Sequence, residues 1–167
     1  GSSFRLAINY LSFIIGSLFT SLFILKKKYD IIFVFEPSPI TVCLPAIFIK
    51  KIKNIPICFW VLDLWPESVV SAGNLKTGLI PRILNPLVKF IYKNSDKILV
   101  PSRGFINSVI EKGINKKKVN FFPQWAEPIF KPVKFDKYLL GSIPKNSFKL
   151  MFAGNIGEAQ DFPSILN

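Results

Sequence analysis

Residues 55–68 decide the fold and read Ile-Pro-Ile-Cys-Phe-Trp-Val-Leu-Asp-Leu-Trp-Pro-Glu-Ser. The first eight carry no charge, which is typical of a parallel strand buried on both faces. Asp63 is the first polar side chain after that strand, and Pro66 and Glu67 suit the first turn of a helix. Ligands of open α/β sheets bind at the carboxyl ends of strands. The stretch therefore predicts a site at Asp63 and Glu67; the open alternative is that both carboxylates only cap the helix and Trp65 only covers the core.

On both sides of this stretch, apolar runs of strand length alternate with runs of helix length. The predicted strands cover residues 30–35, 55–62, 97–100 and 118–122, and the predicted helices cover residues 40–53, 82–93 and 105–112. Ser102 is the expected N-cap of the last of these helices, and Gly113 is expected to end it. The alternation predicts an α/β fold with a doubly wound, Rossmann-like parallel sheet flanked by helices.

The composition points to an anionic partner. Lysine and arginine number 22 against 10 acidic residues, so the net charge is +12, and the mean hydropathy is +0.37. The lysines cluster at residues 26–28, 50–53 and 116–118, each time at the end of an apolar segment. This placement predicts contact with an anionic membrane surface. No nucleic-acid-binding motif accompanies the lysines, so we expect no nucleic acid partner.

The residue types also exclude several kinds of chemistry. The chain has no histidine, so His-based triads and imidazole general bases are ruled out, and acid–base chemistry falls to carboxylates. Cys43 and Cys58 lie in apolar runs without the spacing of a metal or redox motif. We expect both to be reduced core residues of a cytoplasmic protein, with no metal site.

The first segment is apolar enough to meet a membrane. Residues 6–25 form a run of 20 residues without a charge, between Arg5 and Lys26. Such a run is long enough to span a bilayer, but polar residues such as Asn9 and Ser17 interrupt it. A helix over residues 4–25 that packs on a sheet, with one face touching lipid, is therefore predicted in preference to a span or a signal peptide.

A change of composition predicts a second domain. Residues 128–147 have the proline, glycine and polar content of a linker between a domain at 1–127 and the start of another at 148–167. Residues 148–153 are predicted to form a strand, followed by the turn Gly154-Asn155-Ile156-Gly157 and a helix start after Asp161. Such a turn could hold a phosphate on converging backbone N–H groups, although a tight turn without a ligand has the same pattern.

Four motifs together resemble one family of enzymes. They are residues 63–68 (Asp-Leu-Trp-Pro-Glu-Ser), 95–102 (Ser-Asp-Lys-Ile-Leu-Val-Pro-Ser), 122–125 (Phe-Pro-Gln-Trp) and 152–157 (Phe-Ala-Gly-Asn-Ile-Gly). In this order they resemble the family-four glycosyltransferases that build bacterial surface polysaccharides such as O-antigen or capsule. The resemblance implies a two-domain GT-B fold, whose first half binds the acceptor and whose second half binds a nucleoside-diphosphate-sugar. It also implies transfer with retention of anomeric configuration, without a metal or another cofactor.

The resemblance assigns roles to individual residues. Asp63 would orient or deprotonate the acceptor hydroxyl, with Glu67 as a helper. The remaining assignments are Glu36, Ser38 and Trp65 to the acceptor cleft, and Gln124, Trp125, Gly154, Asn155 and Gly157 to donor binding. Gln124 departs from the asparagine that the family commonly has there.

Two departures from the family predict an internal fragment. The family begins with a strand and a glycine-rich turn that this sequence lacks. Only about 20 residues belong to the predicted donor domain, and these are too few to bury a core. The expected parent enzyme transfers a sugar to a lipid-linked or glycan acceptor, and the 167-residue chain alone is expected to be inactive. The alternative is a non-catalytic membrane module or a subunit of a split transferase.

Overall fold

The computed structural model describes residues 3–24, 28–72, 79–132, 134, 146–157 and 160–166. The chain forms two compact units, Gly1–Gln124 and Trp125–Asn167. The helices of the first unit are α1 (Ser3–Phe19, continued by a π-helical turn at Thr20–Ile24), α2 (Cys43–Lys53), α3 (Glu67–Ala72), α4 (Leu79–Asn94) and α5 (Arg103–Glu111). Its strands are β1 (Ile32–Glu36), β2 (Ile57–Val61), β3 (Lys97–Val100) and β4 (Val119–Phe121). Short 3₁₀ turns precede α2 and β4, at Ile40–Val42 and Lys116–Lys118.

The four strands form one parallel sheet in the order β1-β2-β3-β4. The predicted α/β fold with a parallel sheet flanked by helices is therefore confirmed. The described strands follow one another without a reversal of order, and the doubly wound arrangement stays a prediction. Each new strand is added on the same side of the strand before it. Because the crossovers between parallel strands are right-handed, the helices that connect these strands lie on one face of the sheet.

The hydrophobic core lies between that face and the helices α2, α4 and α5. Alternate strand residues point into it, and Phe59 on β2 packs its ring against Tyr92 on α4, with 6.1 Å between the ring centroids. The opposite face carries aromatic side chains: Trp60 packs against Phe35 and Phe122, with ring centroids 5.4 and 5.2 Å apart. Trp60 is buried by these neighbours, whereas Phe35 stays half exposed.

Asp96 ties the ends of three elements together. Its carboxylate accepts the backbone N–H of Ile57 at 2.7 Å and the ammonium of Lys50 at 2.6 Å, and Lys50 also donates to the carbonyl of Asn94. Partial burial acts to raise the pKa of Asp96, but the hydrogen bonds from Lys50 and Ile57 outweigh it and lower the pKa below its ordinary value. This contact fixes α2 and the start of β2 against the loop before β3.

The predicted roles of Ser102 and Gly113 at the two ends of α5 are confirmed. Ser102 accepts the N–H of Phe105 at 3.4 Å as the N-cap, and Gly113 follows the helix with a φ of +82°, a conformation that glycine adopts without strain. The two cysteines are free, Cys43 buried and Cys58 half-buried, and burial raises the pKa of the Cys43 thiol to about 12.

The second unit departs from the prediction. The strand predicted at residues 148–153 is wrong, because this segment is irregular and Phe148, Leu150 and Met151 are 90%, 85% and 91% exposed. A strand needs a neighbour for its backbone hydrogen bonds, and none lies beside it in the described part of the chain. The predicted helix start after Asp161 is present as α6 (Phe162–Leu166). The predicted linker falls largely outside the described residues, and the predicted domain limits stay a prediction.

Candidate functional site

The site is built where β1 and β2 end side by side. Glu36, the last residue of β1, pairs in register with Val61, the last residue of β2. The chain then leaves β2 through Leu62 and Asp63, directly over the end of β1. The carboxyl edge of the sheet thus brings Glu36 and Asp63 together, as expected for ligand sites of parallel sheets.

Glu36 holds this loop from inside the protein. Its side chain is fully buried, and Oε2 accepts the backbone N–H groups of Leu62 and Asp63 at 3.3 and 3.2 Å. The carbonyl oxygen of Glu36 also accepts the Leu62 N–H at 3.1 Å. The side chain predicted to line the acceptor cleft therefore lies beneath the loop that carries Asp63.

The electrostatics of Glu36 follow from its burial. Desolvation raises the pKa of Glu36 to about 8, and the nearby charge of Asp63 acts in the same direction. The hydrogen bonds from the amides of Asp63 and Leu62 act against this rise without cancelling it. Glu36 is thus predominantly protonated at neutral pH. The role of a charged carboxylate, which is considered for Asp63, therefore does not extend to Glu36.

Asp63 is held by Trp65. The indole Nε1 of Trp65 donates to Asp63 Oδ2 at 3.1 Å, while the rest of the Trp65 side chain packs into the core and is only 8% exposed. Asp63 itself is half-buried. From the sequence, Trp65 is expected either to cover the core or to line the acceptor cleft. In the structure its ring packs into the core, and its indole N–H donates to Asp63, the candidate base.

Glu67 begins α3 and forms an ion pair with Lys112, at the end of α5. The ammonium lies 2.5 Å from Glu67 Oε1; the Lys112 side chain is 8% exposed, whereas that of Glu67 is 53% exposed. A carboxylate whose charge is balanced in this way is a weak candidate for a base. Lys112 was missed in the sequence, because nothing in its local pattern signals a partner 45 residues away.

We expect Glu67→Gln to lower the free energy of unfolding by about 1–3 kcal/mol, because the buried ammonium of Lys112 would lose its ionised partner. Denaturant unfolding of Glu67→Gln, Lys112→Met and the double variant measures the coupling between the two side chains. The double variant should be more stable than the two single effects predict. Additive effects would mean that the pair contributes nothing to stability.

Ser38 lies at the same edge, in the loop after β1. Its side chain is exposed, and its backbone has a φ of 131°, a region that residues other than glycine rarely adopt. Strained backbone of this kind is concentrated at functional sites. Ser38 therefore stays a candidate for the acceptor cleft on position and conformation.

The donor-binding candidates come later in the sequence than the residues of this edge. Gln124 ends the first unit, and Trp125, 66% exposed, begins the second. Gly154, Asn155 and Gly157 lie in an irregular, exposed segment of the second unit, where the Gln160 N–H donates to the carbonyl of Gly157 at 3.2 Å. These assignments stay predictions.

Helix α1 presents an apolar surface. Residues Arg5–Ile24 form a helical stretch that is long and apolar enough to cross a membrane by length and composition, and no residue of it is fully buried. Its exposed side chains include Leu11, Ile15 and Phe19, at 57%, 59% and 58%. One stripe of the helix, including Tyr10, packs against the sheet domain, and the Lys53 ammonium donates to the Ser21 carbonyl at 3.3 Å.

An apolar cavity of about 420 Å³ opens between α1, α2 and the outer edge of β1. Phe13 and Ser17 of α1, Phe33 and Phe35 of β1, and Ala46 of α2 are among the residues that line it. The cavity lies on the outer side of β1, whereas the Asp63 loop follows β2.

Comparison with known proteins gives one informative match. No protein-family model matches the chain. The chain is 25% identical over 174 aligned residues to the Escherichia coli (strain K12) protein named "Putative colanic acid biosynthesis glycosyl transferase WcaI". The alignment covers 99% of this chain but 42% of the E. coli protein, so the chain spans less than half the length of this relative. The similarity supports a relationship of the chain to glycosyltransferases.

Proposed function

We propose that this chain is the acceptor-side part of a longer glycosyltransferase that works in surface polysaccharide synthesis. The parent enzyme has a GT-B fold and transfers a sugar, with retention, from a nucleoside-diphosphate-sugar to a lipid-linked or glycan acceptor. The similarity to a protein named as a colanic acid glycosyl transferase supports this proposal, because it extends over 99% of the chain.

The observation that carries the proposal is the position of Asp63. The carboxylate lies at the carboxyl edge of a parallel sheet, the edge at which such sheets bind ligands, and Trp65 fixes its orientation. In a chain without histidine, a half-buried carboxylate is the available kind of general base. In the proposed mechanism Asp63 takes up or orients the proton of the acceptor hydroxyl, and the donor domain stabilises the departing diphosphate.

The test is sugar transfer by the complete reading frame at the source locus. We expect the full-length protein, with membranes containing its lipid-linked acceptors, to transfer sugar from one of a panel of radiolabelled sugar nucleotides. The 167-residue chain, assayed in parallel, should give no transfer, because it corresponds to only 42% of the length of its E. coli relative. Turnover by the short chain would overturn the fragment assignment, and a reading frame that stops at Asn167 would favour a split transferase or a non-catalytic module.

The parent enzyme is proposed to act at the cytoplasmic face of the inner membrane, with α1 in the membrane surface. The packing of α1 supports a helix that lies in the interface: Tyr10 contacts the core, and Ser21, nearly three turns further on, contacts Lys53. A helix attached to the domain along this length has little freedom to cross the bilayer. Lys51, which is exposed near the end of α2, would then meet anionic headgroups.

A further inference from the structure

The fully buried Glu36 has a geometry that neither capping nor core packing requires. One carboxyl oxygen, Oε2, accepts two consecutive backbone amides, those of Leu62 and Asp63. The other oxygen, Oε1, has no hydrogen-bond partner among the residues that the structure describes. An apolar side chain at the end of β1 would fill the same space without the cost of burying a carboxyl group.

We propose that Glu36 is a positioning residue, which works in its neutral form and fixes the Leu62–Asp63 backbone so that the Asp63 carboxylate stays in the geometry required for catalysis. The inference rests on the proposed function, since it assigns Glu36 a role through Asp63. Oε2 of the neutral group is the carbonyl acceptor of both amides, and Oε1 is the oxygen that carries the proton.

The surroundings of Glu36 favour the neutral form. Asp63 faces it from the loop after β2, and its negative charge opposes ionisation of Glu36. From the helices, Tyr92 on α4 and Cys43 on α2 interact electrostatically with Glu36, and both are buried groups whose pKa values are raised by desolvation. Ionised tyrosine and cysteine are anions, so neither group can supply a charge that would stabilise a Glu36 carboxylate.

Ionisation of Glu36 would therefore disturb the site. A second negative charge would appear beside Asp63 on a fully buried side chain, and it would be driven towards solvent. Glu36 holds the backbone N–H groups of Leu62 and Asp63, and the Asp63 side chain extends from this backbone. Movement of Glu36 would therefore displace the candidate base. Displacements of about 1 Å at a catalytic group cost up to about 10²-fold in rate.

The test uses the complete enzyme and two substitutions of different kinds. Glu36→Gln keeps a carbonyl that accepts both amides but cannot ionise, whereas Glu36→Leu keeps the approximate volume and removes the acceptor. Tyr92→Phe serves as the matched control, because it removes another buried polar atom from the same core and leaves the loop amides untouched. All variants are compared by kcat, by KM for the sugar nucleotide and by thermal unfolding.

We expect Glu36→Leu to lower kcat by about 10²-fold, with an unchanged KM for the donor, because it displaces only the acceptor-side base. Glu36→Gln and Tyr92→Phe should stay close to the wild type at pH 7. The kcat of the wild type should fall as the pH rises through about 8, and Glu36→Gln should lack this loss. An unchanged kcat in Glu36→Leu, or the same alkaline loss in Glu36→Gln, would overturn the proposal.

A second measurement does not depend on activity or on Glu36→Leu folding. The indole N–H of Trp65 donates to Asp63, so its NMR signal in ¹⁵N-tryptophan-labelled enzyme reports the position of the loop. We expect this signal to titrate with a midpoint near pH 8 in the wild type and to stay constant in Glu36→Gln. A signal that titrates in both proteins would overturn the positioning role. Absence of sugar transfer together with the expected titration would refute the proposed function and leave the contact between Glu36 and the loop established.

Discussion

Replacing Asp63 by Asn in the full-length protein is expected to lower the kcat of the proposed sugar transfer by about 10²–10⁴-fold, the usual contribution of a positioned general base. An asparagine oxygen can still accept the indole N–H of Trp65, so the loop should keep its structure. The loss should appear in kcat at saturating donor and acceptor, with little change in the thermal unfolding temperature.

The control for this experiment is Asp30→Asn. Asp30 is exposed and lies two residues before β1, at the amino edge of the sheet, whereas Asp63 lies at the carboxyl edge. The two substitutions change the net charge equally, so a difference in kcat reports position. Wild-type kcat in Asp63→Asn would remove Asp63 from the catalytic site and return it to a structural role in the loop.

The second large effect is expected on membrane binding. Leu11 and Ile15 lie one turn apart on the exposed surface of α1. Replacing both by lysine removes two apolar side chains, each worth about 1.5–3 kcal/mol of burial, and should weaken binding to vesicles of anionic lipid by about 10²–10⁴-fold. Sedimentation of the full-length protein with such vesicles measures the change.

Ile83→Lys is the control for this double variant, because Ile83 is an isoleucine on α4 with 67% exposure. It adds a positive charge without touching α1, and binding to anionic vesicles should not fall. Extraction distinguishes the two forms of attachment: release of the wild type by high salt or carbonate supports a surface helix, whereas a need for detergent supports a span. Equal binding by the wild type and the double variant would exclude α1 as the membrane contact.

Local patterns were sufficient to predict most of the sheet. The strand at 97–100 coincides with β3, and the strand predicted at 30–35 overlaps β1 with a shift of one or two residues. These segments are short apolar runs bounded by polar residues or prolines, and that pattern depends only on neighbours in sequence. The segment predicted as a strand at 148–153 has the same pattern but has no strand beside it among the described residues, and pairing is a long-range property that composition does not contain.

In the candidate site, too, features that depend on neighbouring residues could be predicted and features that depend on long-range packing could not. The loop that carries Asp63 could be predicted, since it follows an apolar strand directly. The orientation of Glu36 could not, because whether a residue at a strand end faces the core or the solvent depends on which face the helices cover. The pairing of Glu67 with Lys112 depends on how α5 packs, which the residues around each partner do not reveal.

The strand order has a consequence for biosynthesis. Each strand from β2 to β4 hydrogen-bonds to the one synthesised immediately before it, and each lies on the outer side of its predecessor. The sheet can therefore grow in the order in which the chain leaves the ribosome, one strand and helix at a time, without waiting for a distant segment. At each stage the newest strand is the template for the next, so the carboxyl edge with Glu36 and Asp63 is complete once β2 and its following loop have emerged.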